Sequence, residues 1–410
     1  VTTTEETSAA AQGHLPATAA YRRVVVALFA AGIATFTLLY STQAILPQLS
    51  ARFGVSTEAS TLTVSLTTLG LGAALLVVGP ISDRRGRTGL IHFSLAASSL
   101  IAIACAFSPN WTTLLTLRLL EGVALAGLPA VATAYLREEL HPSAQARAAG
   151  LYIGGTALGG MTGRLLTGGV AEIAGWHWAL AAAAALSLVC ALAVRVLLPS
   201  SERFAPTPPA AGTLVRAGLR ALSDPALISL YVIGGCSSGA LVAVFNTLGF
   251  RLADAPFHLG LAAASLLFLV YPVGTLSSAL FGRLADRFGR RAVMPLGCVL
   301  AVGGTLLTIP SALPAVVLGL ALLVGGFFAV HGVASGWVPA RAFAGGASTA
   351  QAASLYLFTY YLGSSVFGSL AGTAWADAAW PGVAGLAAIL LCVAGTLALR
   401  LRRTPALRSS

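Results

Sequence analysis

A nine-residue turn occurs twice in this chain. Gly79-Pro80-Ile81-Ser82-Asp83-Arg84-Arg85-Gly86-Arg87 returns 203 residues later as Gly282-Arg283-Leu284-Ala285-Asp286-Arg287-Phe288-Gly289-Arg290, each copy between two long apolar runs at the same place in its half. Self-similarity at a fixed offset marks a repeat architecture, and here the unit is about half the chain, the size of a membrane bundle. Twelve apolar runs succeed one another, from 24–46 and 60–81 through to 349–375 and 381–401, each near the roughly 20 residues that cross a bilayer as a helix. Most connections are short, which favours antiparallel neighbours. The exception is 199–224, which holds Pro199, Pro206, Pro208 and Pro209 and then Leu214, Arg216, Leu219, Arg220 and Leu222. That pattern predicts a proline-rich linker followed by a basic amphipathic helix on the membrane surface. The expected organisation is a tail at 1–23, a six-helix bundle at 24–198, the linker at 199–224, a second six-helix bundle at 225–401 and a tail at 402–410. Two halves facing one cavity are what alternating access requires.

With 57% hydrophobic and 9% charged residues the chain cannot cover a soluble surface, so it reads as an all-α polytopic membrane protein. The net charge of +11 raises the question of a nucleic-acid partner, but every basic side chain is arginine and the arginines are spread over alternate loops. Placing the repeated turns in the cytoplasm puts nearly all loop arginines there, leaving only Arg52 and Arg251 on the far side. This asymmetry is the positive-inside rule; it sets both termini in the cytoplasm and argues against nucleic acid. Cys105, Cys190, Cys236, Cys298 and Cys392 lie within apolar runs without metal-ligand spacing and read as small core residues, so neither metal nor cofactor is expected. The chain has no His-Glu-x-x-His, no nucleophile elbow and no P-loop, which argues against an enzyme. Residues 1–20 lack the apolar core of a signal peptide and read as a disordered tail. Trp176, Trp178, Trp375 and Trp380 read as interfacial anchors at the outer face.

Ionisable residues at membrane depth are costly and point to function. Arg118 and Glu121 share a face of the fourth run at i, i+3 spacing, and Arg164 lies towards the outer half of the fifth. Aligned through the repeated turn, Arg118 and Glu121 fall opposite Ala321 and Val324, so the charges belong to the first half alone. Glu121 is the expected proton carrier and Arg118 its switching partner. Phe36, Tyr40 and Gln43 at helical spacing in the first run, and Tyr356, Tyr360 and Ser364 in the eleventh, supply an amphipathic cavity lining, to which Asn246, Tyr271 and His331 add single polar groups. His331 titrates near neutral pH in water and is the second candidate for proton coupling. Arg164 is placed to attract an anionic group, to partner Glu121 or to snorkel to the interface. In the repeated turns, Asp83 with Arg87 and Asp286 with Arg290 are expected to form a gating latch, with Glu138 and Glu139 as further acids for Arg87.

Together the two complete Gly-x-x-x-Asp-Arg-x-Gly-Arg turns and the two sets of six runs resemble the major facilitator superfamily over essentially the whole chain. Within it the chain is most similar to the twelve-helix drug:proton antiporter branch and to the YnfM-type bacterial inner-membrane transport proteins, through residues 40–47, 159–164 and 354–365. The resemblance implies the major facilitator fold, with two pseudo-symmetric bundles, and a charge cluster at Arg87 that holds the outward-open state. Arg118-Leu119-Leu120-Glu121-Gly122 resembles the family's Arg-x-x-Gln-Gly, whose Arg is associated with proton coupling; Glu replaces Gln. The antiporter signature maps onto Gly159 to Gly168, with Arg164 in place of its proline and Thr167 in place of a glycine. The function this implies is that of a monomeric, proton-coupled exporter of small amphipathic organic compounds in a bacterial-type inner membrane, with a small-molecule substrate, protons and lipid as its partners. The alternatives are a facilitator or symporter for a polar or anionic metabolite, with Arg164 as the ligand, and a lipid-type flippase.

Overall fold

The computed structural model describes residues 13–16, 18–206 and 211–404, apart from side chains at 211–215 and 217. Residues 1–12, Pro208, Pro209, the Leu214 side chain and Arg408 lie outside the described residues. Among the described residues, ten helices are long and apolar enough to cross a membrane. These are α1 (Ala19–Phe53), α2 (Thr57–Arg85), α3 (Arg87–Ala106), α4 (Trp111–Glu139), α6 (Trp176–Leu197), α7 (Pro225–Ala253), α8 (Leu261–Phe288), α9 (Arg290–Leu307), α10 (Leu313–Ala344) and Thr349–Leu401. The last is two spans, α11 (349–377) and α12 (380–401), because the backbone leaves helical geometry at Ala378 and Ala379. Between α4 and α6 lies α5 (Pro142–Ala174), 33 residues long, whose glycines and Arg164 lower its hydropathy. The twelve spans fall where the sequence places them, with α1, α8 and α10 running on to Phe53, Phe288 and Ala344, past the expected ends at 46, 283 and 337.

Local chemistry sets the boundaries. Ser56, Asn110 and Ser348 cap α2, α4 and α11 through their side chains, and Asp224 caps α7, which has Pro225 in its first turn. The repeated turns end α2 and α8 on Gly86 and Gly289, at φ 96° and 87°. That left-handed region excludes most side chains, which is why both copies need glycine there. Three spans are broken: α1 at Tyr40–Thr42, α4 at Ala126, and α8 through a 3₁₀ turn at Leu266–Val270.

Packing inside each bundle follows the duplication. Gly155, Gly159 and Gly163 of α5 form a ridge against the backbone of Phe29, Ile33 and Thr37 in α1, so close that a Cβ on Gly159 would lie 2.5 Å from the Ile33 carbonyl oxygen. Gly32 meets Thr156, and 203 residues on Gly235 of α7 meets Thr359 of α11. Between the bundles, α2 packs on α11 and α5 on α8.

These two seams are closed at one end only. Ser65 meets Gly368 and Ser369, and Gly72 seven residues on meets Tyr361, but Gly79 on the same face of α2 has nothing within 4 Å. On α5, Gly168 packs on Ser265 of α8, whereas Gly150, five turns earlier, faces open space. The bundles therefore meet at the end bearing Arg52 and Arg251 and splay apart towards the arginine-rich end bearing the repeated turns.

Several expectations are corrected. The segment Gly13–Leu15, expected within a disordered tail, pairs with the α4–α5 connection through His14 N–H to Glu139 O and His141 N–H to His14 O, and α1 begins at Ala19, inside the expected tail. Trp176 and Trp380 are buried, not interfacial: Trp176 packs on Phe53, and Trp380 donates to Thr308 Oγ1. Cys392 is exposed on the outer face of α12, where the other four cysteines are buried. Arg251, an exception to the charge asymmetry, is held by the carbonyls of Thr308, Ile309 and Pro310 at the end of α9.

Candidate transport site

The break in α1 leaves the Leu39 carbonyl without a backbone partner among the described residues, and at membrane depth such a group must be satisfied from within the protein. Arg118 of α4 does this. Its NH1 donates to Leu38 O and Ser41 Oγ, its NH2 to Leu39 O and its Nε to Thr63 O of α2. The same NH1 lies 2.6 Å from Glu121 Oε2, in a pair 1% and 0% exposed. Glu121 Oε2 also accepts from Cys105 Sγ of α3 at 3.6 Å, while Oε1 has no partner among the described residues. The i, i+3 pair expected from sequence is thus present, and Ser41, Thr63 and Cys105 are additions that helical spacing within one run does not reveal.

Arg164 is also 1% exposed, in different company. Its Nε donates to Gln43 Oε1 at 2.6 Å and its NH1 to Gly160 O at 2.7 Å. Its guanidinium lies over the rings of Tyr40, Tyr271 and Phe268 at 4.1, 4.7 and 5.0 Å. Among the described residues it makes no ion pair, neither with Glu121 nor with another acid, and it does not snorkel. Gln43 Nε2 in turn donates to Asn246 Oδ1 at 2.6 Å, and Asn246 Nδ2 to Gly368 O. Gln43 and Asn246 are 203 residues apart, the offset of the duplication. Equivalent residues that touch must lie on the pseudo-twofold axis, so a hydrogen-bonded chain runs from α5 through α1 and α7 to α11 across the centre of the molecule.

A second polar cluster lies nearer the arginine-rich end. His331 Nδ1 is 2.9 Å from Tyr356 Oη, and its ring stacks on Phe327 and packs against Tyr360. Tyr271 joins the clusters through its edge contact with Phe328. Phe36 and Tyr360 both pack against the core cluster that holds Tyr40 and Tyr361, while Ser364 is buried with its hydroxyl unpartnered among the described residues. The expected cavity residues are therefore brought to the interior, in two groups. Phe268 and Phe327 were missed; plain apolar side chains in apolar runs carry no signal.

At the arginine-rich end only the first repeated turn builds a cluster. Arg87 pairs with Asp83 at 2.7 Å and with Glu138 at 2.8 Å, and also donates to Ser82 Oγ. Asp286 and Arg290 are exposed and make no ion pair among the described residues. The reason lies in α10, where position 341, equivalent to Glu138, is an arginine that pairs with Asp224 at 2.7 Å. The linker completes the first cluster. Phe204 lies over Arg87, Arg203 pairs with buried Glu139 at 3.3 Å, and Pro199 O accepts from Tyr135.

At the closed end, Ser65 meets Ser369 at 2.8 Å, and Glu172 Oε2 accepts from the Ala262 N–H in the first turn of α8. Glu172 was missed; an acid near a helix end is legible, but its partner on another bundle is not.

Residues 26–280 match the family described as Major Facilitator Superfamily. The chain is 40% identical over 377 residues to the MFS-type transporter YybF of Bacillus subtilis (strain 168), covering 92% of this chain and 93% of that one. It is 40% identical over 383 residues to the inner membrane transport protein YnfM of Escherichia coli (strain K12), covering 93% and 91%. The crystal structure of a bacterial homologue of the human lysosomal transporter Spinster, inward-facing and unoccupied, aligns with a TM-score of 0.76 at 15% identity over 96% of this chain and 100% of that one.

Proposed function

Because the chain belongs to the Major Facilitator Superfamily and is a multi-pass secondary transporter, we propose that it is a proton-driven exporter of small amphipathic organic compounds, working as a monomer. The positive-inside rule puts the arginine-rich end and both termini in the cytoplasm, so the conformation with that end splayed is the inward-open one, ready to load solute from the cell.

The observation that carries the reading is the attachment of the Arg118–Glu121 pair to the break in α1. Arg118 holds Leu38, Leu39 and Ser41, and the adjoining Tyr40 and Gln43 hold Arg164 and Asn246. Protonating Glu121 at its unpartnered Oε1 removes the charge that anchors Arg118 and frees the α1 break to shift. Tyr40 and Gln43 then move with it, loosening the link between the bundles. Proton binding and the state of the closed end are in this way one mechanical unit, which is what coupled transport needs. The latch at Asp83, Arg87 and Glu138 acts in the other half of the cycle, when the arginine-rich end closes.

The test is Glu121→Gln in proteoliposomes with an imposed pH gradient. Proton-driven accumulation is expected to vanish while solute counterflow, which needs no proton, survives. If the variant still concentrates solute, Glu121 is not the carrier and His331 takes its place.

A further inference from the structure

We propose that the transported solutes include aromatic monocarboxylates, and that Arg164 binds the carboxylate in exchange for Gln43. This rests on the transport reading above and names the chemistry of its substrate. A guanidinium has five N–H donors; at Arg164 two are taken up, by the Gln43 and Gly160 oxygens, and no acid neutralises the charge among the described residues. Burying such a cation is expensive unless an anion joins it. The fold does not need it there, since the position 203 residues on is Phe367, which packs on Gly239. Arg118, by contrast, is neutralised by Glu121. Of these two arginines at mid-membrane, Arg164 alone keeps its positive charge unbalanced, and a monoanion balances it.

The rings decide the rest of the ligand. Tyr40 and Tyr271 lie over the guanidinium and Phe268 stacks on Phe245 beside them, so the charge is enclosed by close-packed aromatic faces, and a ligand that parts them meets a surface suited to a flat apolar body. A carboxylate makes two parallel bonds to a guanidinium where an amide oxygen makes one, so it displaces Gln43. Losing that bond frees Gln43 from Arg164 and weakens the chain through Asn246 that ties the bundles together at the axis. Ligand binding on this chemistry also loosens the closed end, as an exporter requires.

The experiment measures binding of 2-naphthoate, 2-naphthamide and 2-naphthylmethylammonium to the purified full-length protein by calorimetry and thermal shift. The carboxylate is expected to bind and the other two to bind on the order of tenfold more weakly or worse, the worth of a charge-assisted hydrogen bond. Arg164→Gln should abolish the preference. Gln43→Leu, which leaves the cation intact and removes its competitor, should bind naphthoate more tightly than the parent. Equal binding of all three probes, or naphthoate binding unchanged in Arg164→Gln, overturns the proposal, as does weaker binding in a folded Gln43→Leu protein. The transport reading is judged separately, by pH-driven flux: naphthoate binding at Arg164 without proton-coupled movement of any solute sinks the coupling and leaves the site, whereas coupled flux of cationic or neutral solutes alone does the reverse.

Discussion

Arg118 and Arg164 are alike in burial and unlike in company. Arg118 spends its donors on the carbonyls of Leu38, Leu39 and Thr63, on Ser41 and on Glu121, so it is at once a splice for the broken α1 and the counter-ion of an acid. Arg118→Ala leaves buried Glu121 without its cation and the Leu39 carbonyl without its donor, and is expected to lower stability by about 3–5 kcal/mol. Arg118→Lys cannot span acceptors on three helices with one ammonium and should recover only part of the loss. Thermal unfolding in detergent compares the two, and a full recovery by lysine would show that charge alone is needed. At this scale the sequence was legible where partners are close along one helix, as with Glu121, three residues from Arg118. It was not legible for Arg164, whose partner Gln43 is 121 residues away on another span.

Among the elements, the proline-rich linker makes specific contacts with both bundles. Its first residues dock on the first bundle through Ser201 and Thr88, Arg203 and Glu139, and Phe204 and Arg87. The helix Ala211–Ser223 sits on the second bundle, with Ala221 buried in its core. Glu139 is 1% exposed, and its carboxylate accepts from both the backbone N–H and the guanidinium of Arg203. Arg203→Ala should therefore slow transport and reduce stability by about 1–2 kcal/mol, because it takes the cation from buried Glu139 while the backbone N–H at 203 stays in place. Replacing 206–211 by Gly/Ser residues of equal length should leave flux largely intact, since that stretch has only to reach between the bundles. Flux in reconstituted vesicles reads both, and equal losses would mean that the docking contacts carry no special role. Proline content predicted the linker's existence, but a strap of this kind is held by long-range pairs that composition does not specify.

For the molecule as a whole, the duplication is kept in the backbone and broken in the charges. Glu138 ties Arg87 in the first bundle, and its counterpart Arg341 ties Asp224 in the second. Burial pushes the Asp224 carboxyl up, but the Arg341 guanidinium and the Ala226 N–H outweigh it and hold the group below the usual carboxylate range. A carboxyl with a lowered folded-state value stabilises the fold above its unfolded value, near 4, and loses that contribution as pH falls through the folded value. Asp224→Asn should thus be less stable than the parent at pH 7, by about 1 kcal/mol for a partly exposed pair, and the gap should close on acidification. Unfolding curves between pH 7 and pH 3 check this, and a gap independent of pH would assign the effect to helix capping alone. By itself the sequence determined the twelve spans, the two bundles, the glycine turns and the Arg118–Glu121 pair, because hydrophobic length, left-handed backbone and i, i+3 spacing act over a few residues. The tertiary structure decided that Gln43 meets Asn246 on the axis, that Arg164 stands among Tyr40, Tyr271 and Phe268 without an acid, and which end of the bundles is closed. Those outcomes depend on side chains from spans far apart in the chain, brought together by packing along whole helices, and no local period records them.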